Sequence, residues 1–408
     1  MEIKTNNNVV LVIGAINGAF YDFNNGKVYH VNKDAIDIIQ DYANGNLSIE
    51  NNKYLIELLN NGLISKTFKP FVVSEEHKKP PIKLIMAWLE LTEACNLKCI
   101  HCYEGECHHK LENSLSVQKW ESIIDELADL KVNRIILIGG EPSCFPNHKE
   151  IVKYCGEKKI NTTYFTNATM IDDELIELFK KYNVSVKISI YGGSASIHDT
   201  VTTVKGSFER TRNNIVKMNK ANIKMYASVI LMKENQDDLQ NIIKFLKENN
   251  VTYTGYDVIR NVYGQKQNIH CPTNKKIISN RYITKPSFKA DEAIYIKNHF
   301  YNSCWYGKVA IEENGDIIPC VFHRNDILGN VNNNSITEII NSEKTLSYWG
   351  YSFDYVNECK DCEYRYACKD CRVVGYGLDG KLTTKNYRCT YNPYTGEWKD
   401  IGSDISDE

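Results

Sequence analysis

Cys95, Cys99 and Cys102 stand in the run Cys95-Asn96-Leu97-Lys98-Cys99-Ile100-His101-Cys102, directly after the apolar stretch Leu84 to Leu91. Three thiolates on a short loop at the end of a strand can hold three irons of a 4Fe-4S cube. The missing fourth thiolate leaves one iron open, able to bind and cleave a small molecule instead of only passing electrons. Three close cysteines can also form a zinc knuckle or a set of buried thiols, although zinc sites usually carry four ligands in paired sets. Further on stands Gly139-Gly140-Glu141-Pro142. Its two glycines let a backbone approach a ligand, and Glu141 offers an acceptor and a negative charge to an ammonium group.

Positioning these residues requires strands that end where they begin. Strand candidates are Ile85 to Leu91, Arg134 to Ile138, Thr162 to Thr166, Val184 to Ile190, Lys224 to Leu231 and Val251 to Ile259. Between them run amphipathic helices, such as the one with Val117, Trp120, Ile124 and Leu127 on one face and the one with Leu175, Leu178, Phe179 and Tyr182. Six βα units whose strands are apolar throughout predict a parallel sheet with helices outside it. In such barrels the chemistry gathers at the C-terminal ends of the strands, where the cysteine loop and the Gly-Gly-Glu-Pro turn both fall.

The chain before and after this stretch is different in kind. Residues 1–66 read as a small domain: β-type runs Val9 to Val12, Ala19 to Asp22 and Lys27 to Val31, with a hairpin turn at Asn24-Asn25-Gly26. A helix is expected from Asn32 and a second from Ser48, stopped at Gly62. Residues 67–83 read as a linker, with Pro70, a charged run and Pro80-Pro81. From Cys304 cysteines return: Cys304, Gly315 and Cys320 in a C-x10-G-x4-C pattern, then Cys359, Cys362, Cys368 and Cys371, and finally Cys389. The Cys359 to Cys371 set could also be read as a zinc ribbon.

Together the CxxxCxxC loop and the following GGEP turn resemble the radical S-adenosylmethionine (SAM) superfamily, in which His101 holds a place usually taken by an aromatic. The C-terminal array resembles the SPASM domain, an extension that binds auxiliary 4Fe-4S clusters, here with one fewer residue in its last CxxC-type pair. The order of elements in residues 1–66 resembles the winged-helix recognition module of peptide-modifying radical enzymes.

The resemblance implies an α/β fold: a partial (β/α)6 barrel over 84–265, a bridging region over 266–303, and a SPASM domain over 304–408. It implies SAM contacts at Gly139, Gly140, Glu141, Pro142, Asn167, Ser189 and His101. It implies three 4Fe-4S clusters, the first on Cys95, Cys99 and Cys102. Cys359, Cys362, Cys368 and Cys389 would hold the second, and Cys304, Cys320 and Cys371 the third, with Cys271 a candidate fourth ligand. Where family members carry an Asp two residues after Ser189 this chain has Tyr191, and Lys205 stands where an Arg is usual.

The activity implied is a peptide maturase. SAM is cleaved to methionine and a 5′-deoxyadenosyl radical, which takes a hydrogen from a ribosomal precursor peptide. A thioether is the expected bond, with carbon–carbon crosslinking, epimerisation and formylglycine formation as alternatives. Val321 stands where formylglycine-forming enzymes carry an Asp. A non-catalytic iron-sulfur electron carrier is the rival from another class, but it would have no use for a SAM-binding turn. The electron donor would be flavodoxin- or ferredoxin-like.

Composition agrees. A net charge of -2 predicts no nucleic acid or anionic membrane partner, and no apolar run approaches the ~18 residues of a membrane span. Without an export signal, 14 cysteines point to metal ligands in a reducing cytoplasm.

Overall fold

The computed structural model describes residues 8–66, 79–105, 114–260, 267–284 and 287–399. Most of the expected linker (67–78) and Cys107 lie outside them. Two compact units emerge: residues 82–281 with 307–347, and residues 1–81 with 282–306 and 348–408.

The N-terminal elements are strands β1 (Val9–Ile13), β2 (Gly18–Asp22) and β3 (Lys27–Val31), then helices α1 (Lys33–Ala43) and α2 (Lys53–Asn60). Asn32 caps α1 by accepting from the Ala35 N–H. The second helix begins later than Ser48: Asn52 accepts from the N–H groups of Tyr54 and Leu55 and takes the cap, while Ile49–Asn51 form only a 3-10 turn. The three strands pair antiparallel in the order β1-β2-β3. Alternation divides their side chains between two faces. Phe20 and Val31 pack with Ile36, Ile39 and Leu55 of the helices. Val10, Val12, Ala19 and Tyr21 pack with Tyr295, Tyr364, Tyr366 and Tyr391 from the C-terminal half. With both faces covered, every residue of β2 is buried.

The other unit holds the parallel strands β4 (Met86–Glu90), β5 (Arg134–Ile138), β6 (Thr162–Thr166), β7 (Ser185–Ile190), β8 (Met225–Leu231) and β9 (Tyr256–Val258). Helices α3 (Val117–Asp129), α4 (His148–Glu157), α5 (Asp173–Lys181), α6 (Ala195–Thr202), α7 (Ser207–Lys220) and α8 (Leu239–Glu248) lie between them in sequence. This is the expected partial (β/α)6 barrel. The sixth strand is much shorter than Val251 to Ile259, because Gly255 has φ +127°, outside the strand region.

One extension was not expected. Strand β10 (Lys308–Ile311) pairs parallel with β4, and β11 (Asp316–Ile318) and β12 (Gly329–Asn330) continue antiparallel beyond it, giving nine strands in one sheet.

Candidate functional site

The cysteine loop leaves β4 and is tied down at several points. The N–H groups of Lys98 and Ile100 donate to the carbonyls of Thr202 and Val201, at 3.1 and 3.0 Å. Asn96 donates to Thr169 Oγ1 at 2.7 Å and accepts from Asn167 Nδ2 at 2.9 Å, so the third strand's end holds the loop. Asn167 therefore acts on the loop through Asn96.

The three thiols converge on one ring. Burial drives the Tyr191 hydroxyl pKa well above its ordinary value, and the neighbouring charges of Cys99, Cys102 and Cys95 push the same way. The His101 ring stands 4.6 Å from that of Tyr191, and burial lowers its pKa to about 4. All thirteen described cysteines are free thiols. Among the described residues no three His, Cys, Asp or Glu side chains are set for a single metal ion. Three thiols on one loop match the ligand number of a 4Fe-4S cube with one open iron.

The Gly139 turn is built around β4. A Cβ on Gly139 would meet the Thr92 carbonyl oxygen at 2.2 Å, and one on Gly140 the Glu93 carbonyl oxygen at 2.3 Å. Gly139 also has φ +152°. Hydrogen bonds from Gly140 N to Thr92 O (2.8 Å) and from Glu141 N to Ala94 O (2.9 Å) fasten this turn to the start of the cysteine loop. The Glu141 carboxylate is buried and already accepts from Ser143 N (3.1 Å), Thr166 Oγ1 (2.7 Å) and Asn167 N (2.7 Å). Three of roughly four acceptor positions are thus taken within the protein. Glu141 thus organises the turn through these three bonds. Pro142 opens the short turn that follows it, and Ser189 lies on β7 opposite Ser228 of β8.

A second charged group was missed in the sequence. Arg324 Nη1 donates to both oxygens of Glu90 (3.0 and 2.8 Å), and Nη2 lies 2.9 Å from Glu312 and 3.7 Å from Glu93. Glu90 is 1% exposed. Burial raises its pKa to about 8 despite Arg324. The available signal was Glu90 itself, a charge inside an otherwise apolar strand run.

In the other unit Cys359, Cys362, Cys368 and Cys389 converge. Burial raises the Cys368 thiol far above its ordinary pKa, and the charges of Cys389, Cys359 and Cys362 push the same way. Burial pushes the Cys362 thiol up to about 12. Four mutually close thiols match the ligand number of a closed 4Fe-4S cube.

Their loop is fastened to the N-terminal sheet. Ala15 N donates to Asp361 O (2.8 Å), Tyr21 Oη to Glu363 O (2.9 Å), and Tyr364 Oη shares a hydrogen bond with His30 Nδ1 (2.8 Å). Tyr391 donates to the buried Glu363 carboxylate. Cys304 and Cys371 belong to this unit, whereas Cys320 and Cys271 belong to the barrel unit. Of the remaining cysteines, Cys155 lies on the buried face of α4, with its thiol raised by burial to about 12.

Comparison with known proteins places two domain profiles on the chain. The radical SAM superfamily profile matches residues 89–246, and the iron-sulfur cluster-binding SPASM profile matches residues 304–372. The chain carries a radical SAM domain and a SPASM domain. It is an enzyme of this class, with 4Fe-4S clusters and SAM as its cofactors.

The chain is similar to an AdoMet-dependent heme synthase of Methanosarcina barkeri, 24% identical over 339 residues covering 76% of this chain and 97% of that protein. It is also similar to the antilisterial bacteriocin subtilosin biosynthesis protein AlbA of Bacillus subtilis, 26% identical over 303 residues covering 71% and 67%. Among solved structures, Streptococcus suis SuiB bound to precursor peptide SuiA shares the fold, with a TM-score of 0.61 at 15% identity over 95% of this chain and 100% of that one. Among the described residues no helix is long and apolar enough to cross a membrane.

Proposed function

We propose that this radical SAM/SPASM enzyme is a maturase of a ribosomally made precursor peptide and that it closes a thioether between a cysteine sulfur and a carbon. The observation that carries the reading is the four-thiol array built into the same compact unit as the N-terminal sheet. In this reading a module for holding a peptide and a seat for an auxiliary cluster share one unit. Similarity to AlbA, a bacteriocin biosynthesis protein, supports it.

In this reading Cys95, Cys99 and Cys102 hold the first cluster. Cys359, Cys362, Cys368 and Cys389 hold the second. Cys304, Cys320 and Cys371 hold a third, completed by Cys271 or by a thiolate of the substrate. A reduced cluster with SAM supplies one-electron cleavage of a carbon–sulfur bond and hence a radical able to abstract hydrogen. The chain's own residues bind and orient. Gly139 and Gly140 let the backbone close on the cofactor, Glu141 and Asn167 fix that turn against the cysteine loop, and Ser189 and His101 complete the cofactor contacts. Residues 1–66 receive the leader of the peptide as an added strand on their winged-helix-like sheet. The donor is a flavodoxin- or ferredoxin-like protein, and the setting is the cytoplasm.

Similarity to heme synthases favours a second reading, with a tetrapyrrole as substrate. One experiment separates the two. The reconstituted chain, SAM and dithionite are supplied with candidate precursors from neighbouring reading frames, or with an iron porphyrin. Loss of two hydrogen masses from a Cys-containing peptide, absent for its Cys-to-Ser form, supports thioether formation. Modification of the porphyrin alone refutes it.

A further inference from the structure

Strands β6 to β9 present cations on the face that the cysteine loop covers. Register aligns Phe165 of β6 with Lys187 of β7, Ser189 with Ser228 of β8, and Ile230 with Asp257 of β9. Alternation therefore sets these six residues on one face of the sheet and leaves Val186, Ile188 and Ile190, all buried, on the other. Ile230 packs with Cys99 and Ile100 around Tyr191, so the face with Lys187 is the inside of the barrel.

Inside a barrel a lysine ammonium is expected beside a carboxylate. Lys187 is partly buried, and its Nζ lies 5.0 Å from the centre of the Phe165 ring. Among the described residues no Asp or Glu pairs with it. Asp257, the one carboxylate of those six residues, is committed elsewhere: Oδ2 accepts from Arg260 Nε (3.1 Å) and Nη2 (2.6 Å), and Arg281 Nη2 lies 3.3 Å from Oδ1. On the β4 side, Glu90 and Glu312 are held by Arg324. Three cations thus face one carboxylate on the β7 to β9 wall. Burial lowers the Lys187 pKa and the charge of Arg260 adds to the effect, which a bound anion would reverse. The wall also stands close to the thiols. Arg260 lies 5.0 Å over the Phe322 ring, which is 4.9 Å from that of Tyr103, and these two residues follow Cys320 and Cys102.

We propose that this wall receives a carboxylate of the substrate inside the barrel, with Lys187 as its direct partner. An ammonium flanked by Phe165 suits a singly charged group on a carbon chain, whereas a phosphate asks for several donors at once. The carboxylate of SAM shares a carbon with the ammonium expected at the Gly139 turn after β5. Lys187 is two strands from β5, roughly 10 Å at the spacing of neighbouring strands. The inference rests on the peptide reading and narrows it: the precursor brings an Asp or Glu side chain, or its own C-terminus, next to the reacting carbon. A tetrapyrrole propionate carries the same chemistry, and the probes below separate the sources.

The test is equilibrium dialysis on the full chain with clusters reconstituted and SAM present. The probes are Nα-acetyl-aspartate amide, Nα-acetyl-glutamate amide, Nα-acetyl-glycylglycine and coproporphyrin III. Their neutral counterparts are the Asn, Gln and glycylglycine amides and the porphyrin methyl ester. At least one carboxylate should bind about tenfold or more tightly than its counterpart, and which one binds identifies the source. Lys187→Met and Lys187→Gln should each abolish that preference while leaving SAM affinity within twofold and the melting temperature no lower. Lys187→Arg should retain the preference, which a merely structural role would not require.

Equal binding of charged and neutral probes, or no binding, overturns the proposal. So does a preference that survives in the Met and Gln variants. Displacement of every carboxylate probe by equimolar inorganic phosphate overturns it in favour of a phosphate site. A tenfold loss of SAM affinity in Lys187→Met overturns it in favour of the cofactor. The peptide reading fails separately: binding of coproporphyrin III alone upholds the carboxylate site and refutes a peptide substrate.

Discussion

Replacing Asp370 by Asn tests whether the buried ion pair beside Cys371 holds the cysteine array in shape. Arg372 is 0% exposed and Asp370 8%. Arg372 Nη2 donates to Asp370 Oδ1 at 2.9 Å and Nε donates to the other oxygen, while Nη1 donates to the carbonyls of Leu382 (2.7 Å) and Thr384 (2.9 Å). The Asp370 N–H donates to Ser303 Oγ at 2.8 Å, joining the Cys368 to Cys371 loop to the residue before Cys304.

In Asp370→Asn the guanidinium stays buried with no counter-charge, which typically costs about 3–5 kcal/mol. Because Nη1 keeps its two carbonyls, the lower end applies, about 3 kcal/mol, or roughly a hundredfold in the unfolding equilibrium of this unit. Anaerobic urea unfolding read through protection of helix α9 (Arg372–Asp379) in hydrogen exchange gives the value. Arg372→Met in the Asn background should recover most of it, since the cost lies in the orphaned charge. A loss under about 0.5 kcal/mol, the size expected of an ordinary surface change, would refute the argument. So would a double variant worse than the single one.

Three further outcomes follow from the geometry. Gly139→Ala, whose Cβ would meet the Thr92 carbonyl oxygen, should cost about 2 kcal/mol or more and abolish SAM binding by calorimetry; retained affinity would refute a turn closed on the residues after β4. His198 is buried, and burial lowers its pKa to about 4, so the folded imidazole refuses a proton that the unfolded one (ordinary value ~6.5) accepts. Stability from this residue is therefore present above about pH 6.5 and is lost as pH falls toward 4. Between pH 7 and 5.5 the wild type should lose on the order of 1 kcal/mol more than His198→Phe; parallel curves would contradict it. Removing residues 1–66 strips Tyr21 and His30 from the Cys359 to Cys368 loop, so iron content should fall by about four per chain, the complement of one cluster. Unchanged iron would show that the array holds its cluster without the sheet.

The sequence made the local chemistry readable and the long-range chemistry not. Cys95, Cys99 and Cys102 lie within eight residues, and their loop follows a strand whose apolar character is visible by itself. The βα alternation is likewise local, since each helix shows its own 3.6-residue stripe. Arg324 and Glu90 are 234 residues apart, and Tyr21 and Glu363 are 342. No periodicity links such partners, and β10 carries no mark that would send it to the edge of β4 rather than into a sheet of its own. The Glu141 carboxylate shows the same limit. Its type suggested a ligand contact, and only the position of Thr166 and Asn167 reveals that it also ties the turn to the next strand.

The central claim is that the Cys95 loop seats a cluster that cleaves SAM. Its most direct measurement is 5′-deoxyadenosine, quantified by chromatography after anaerobic incubation of the reconstituted chain with SAM and dithionite. The account predicts production by the wild type, and none from a variant with Cys95, Cys99 and Cys102 all replaced by Ala and with about four fewer irons. Equal production by the two proteins, or none by a wild type carrying its full iron, would contradict it.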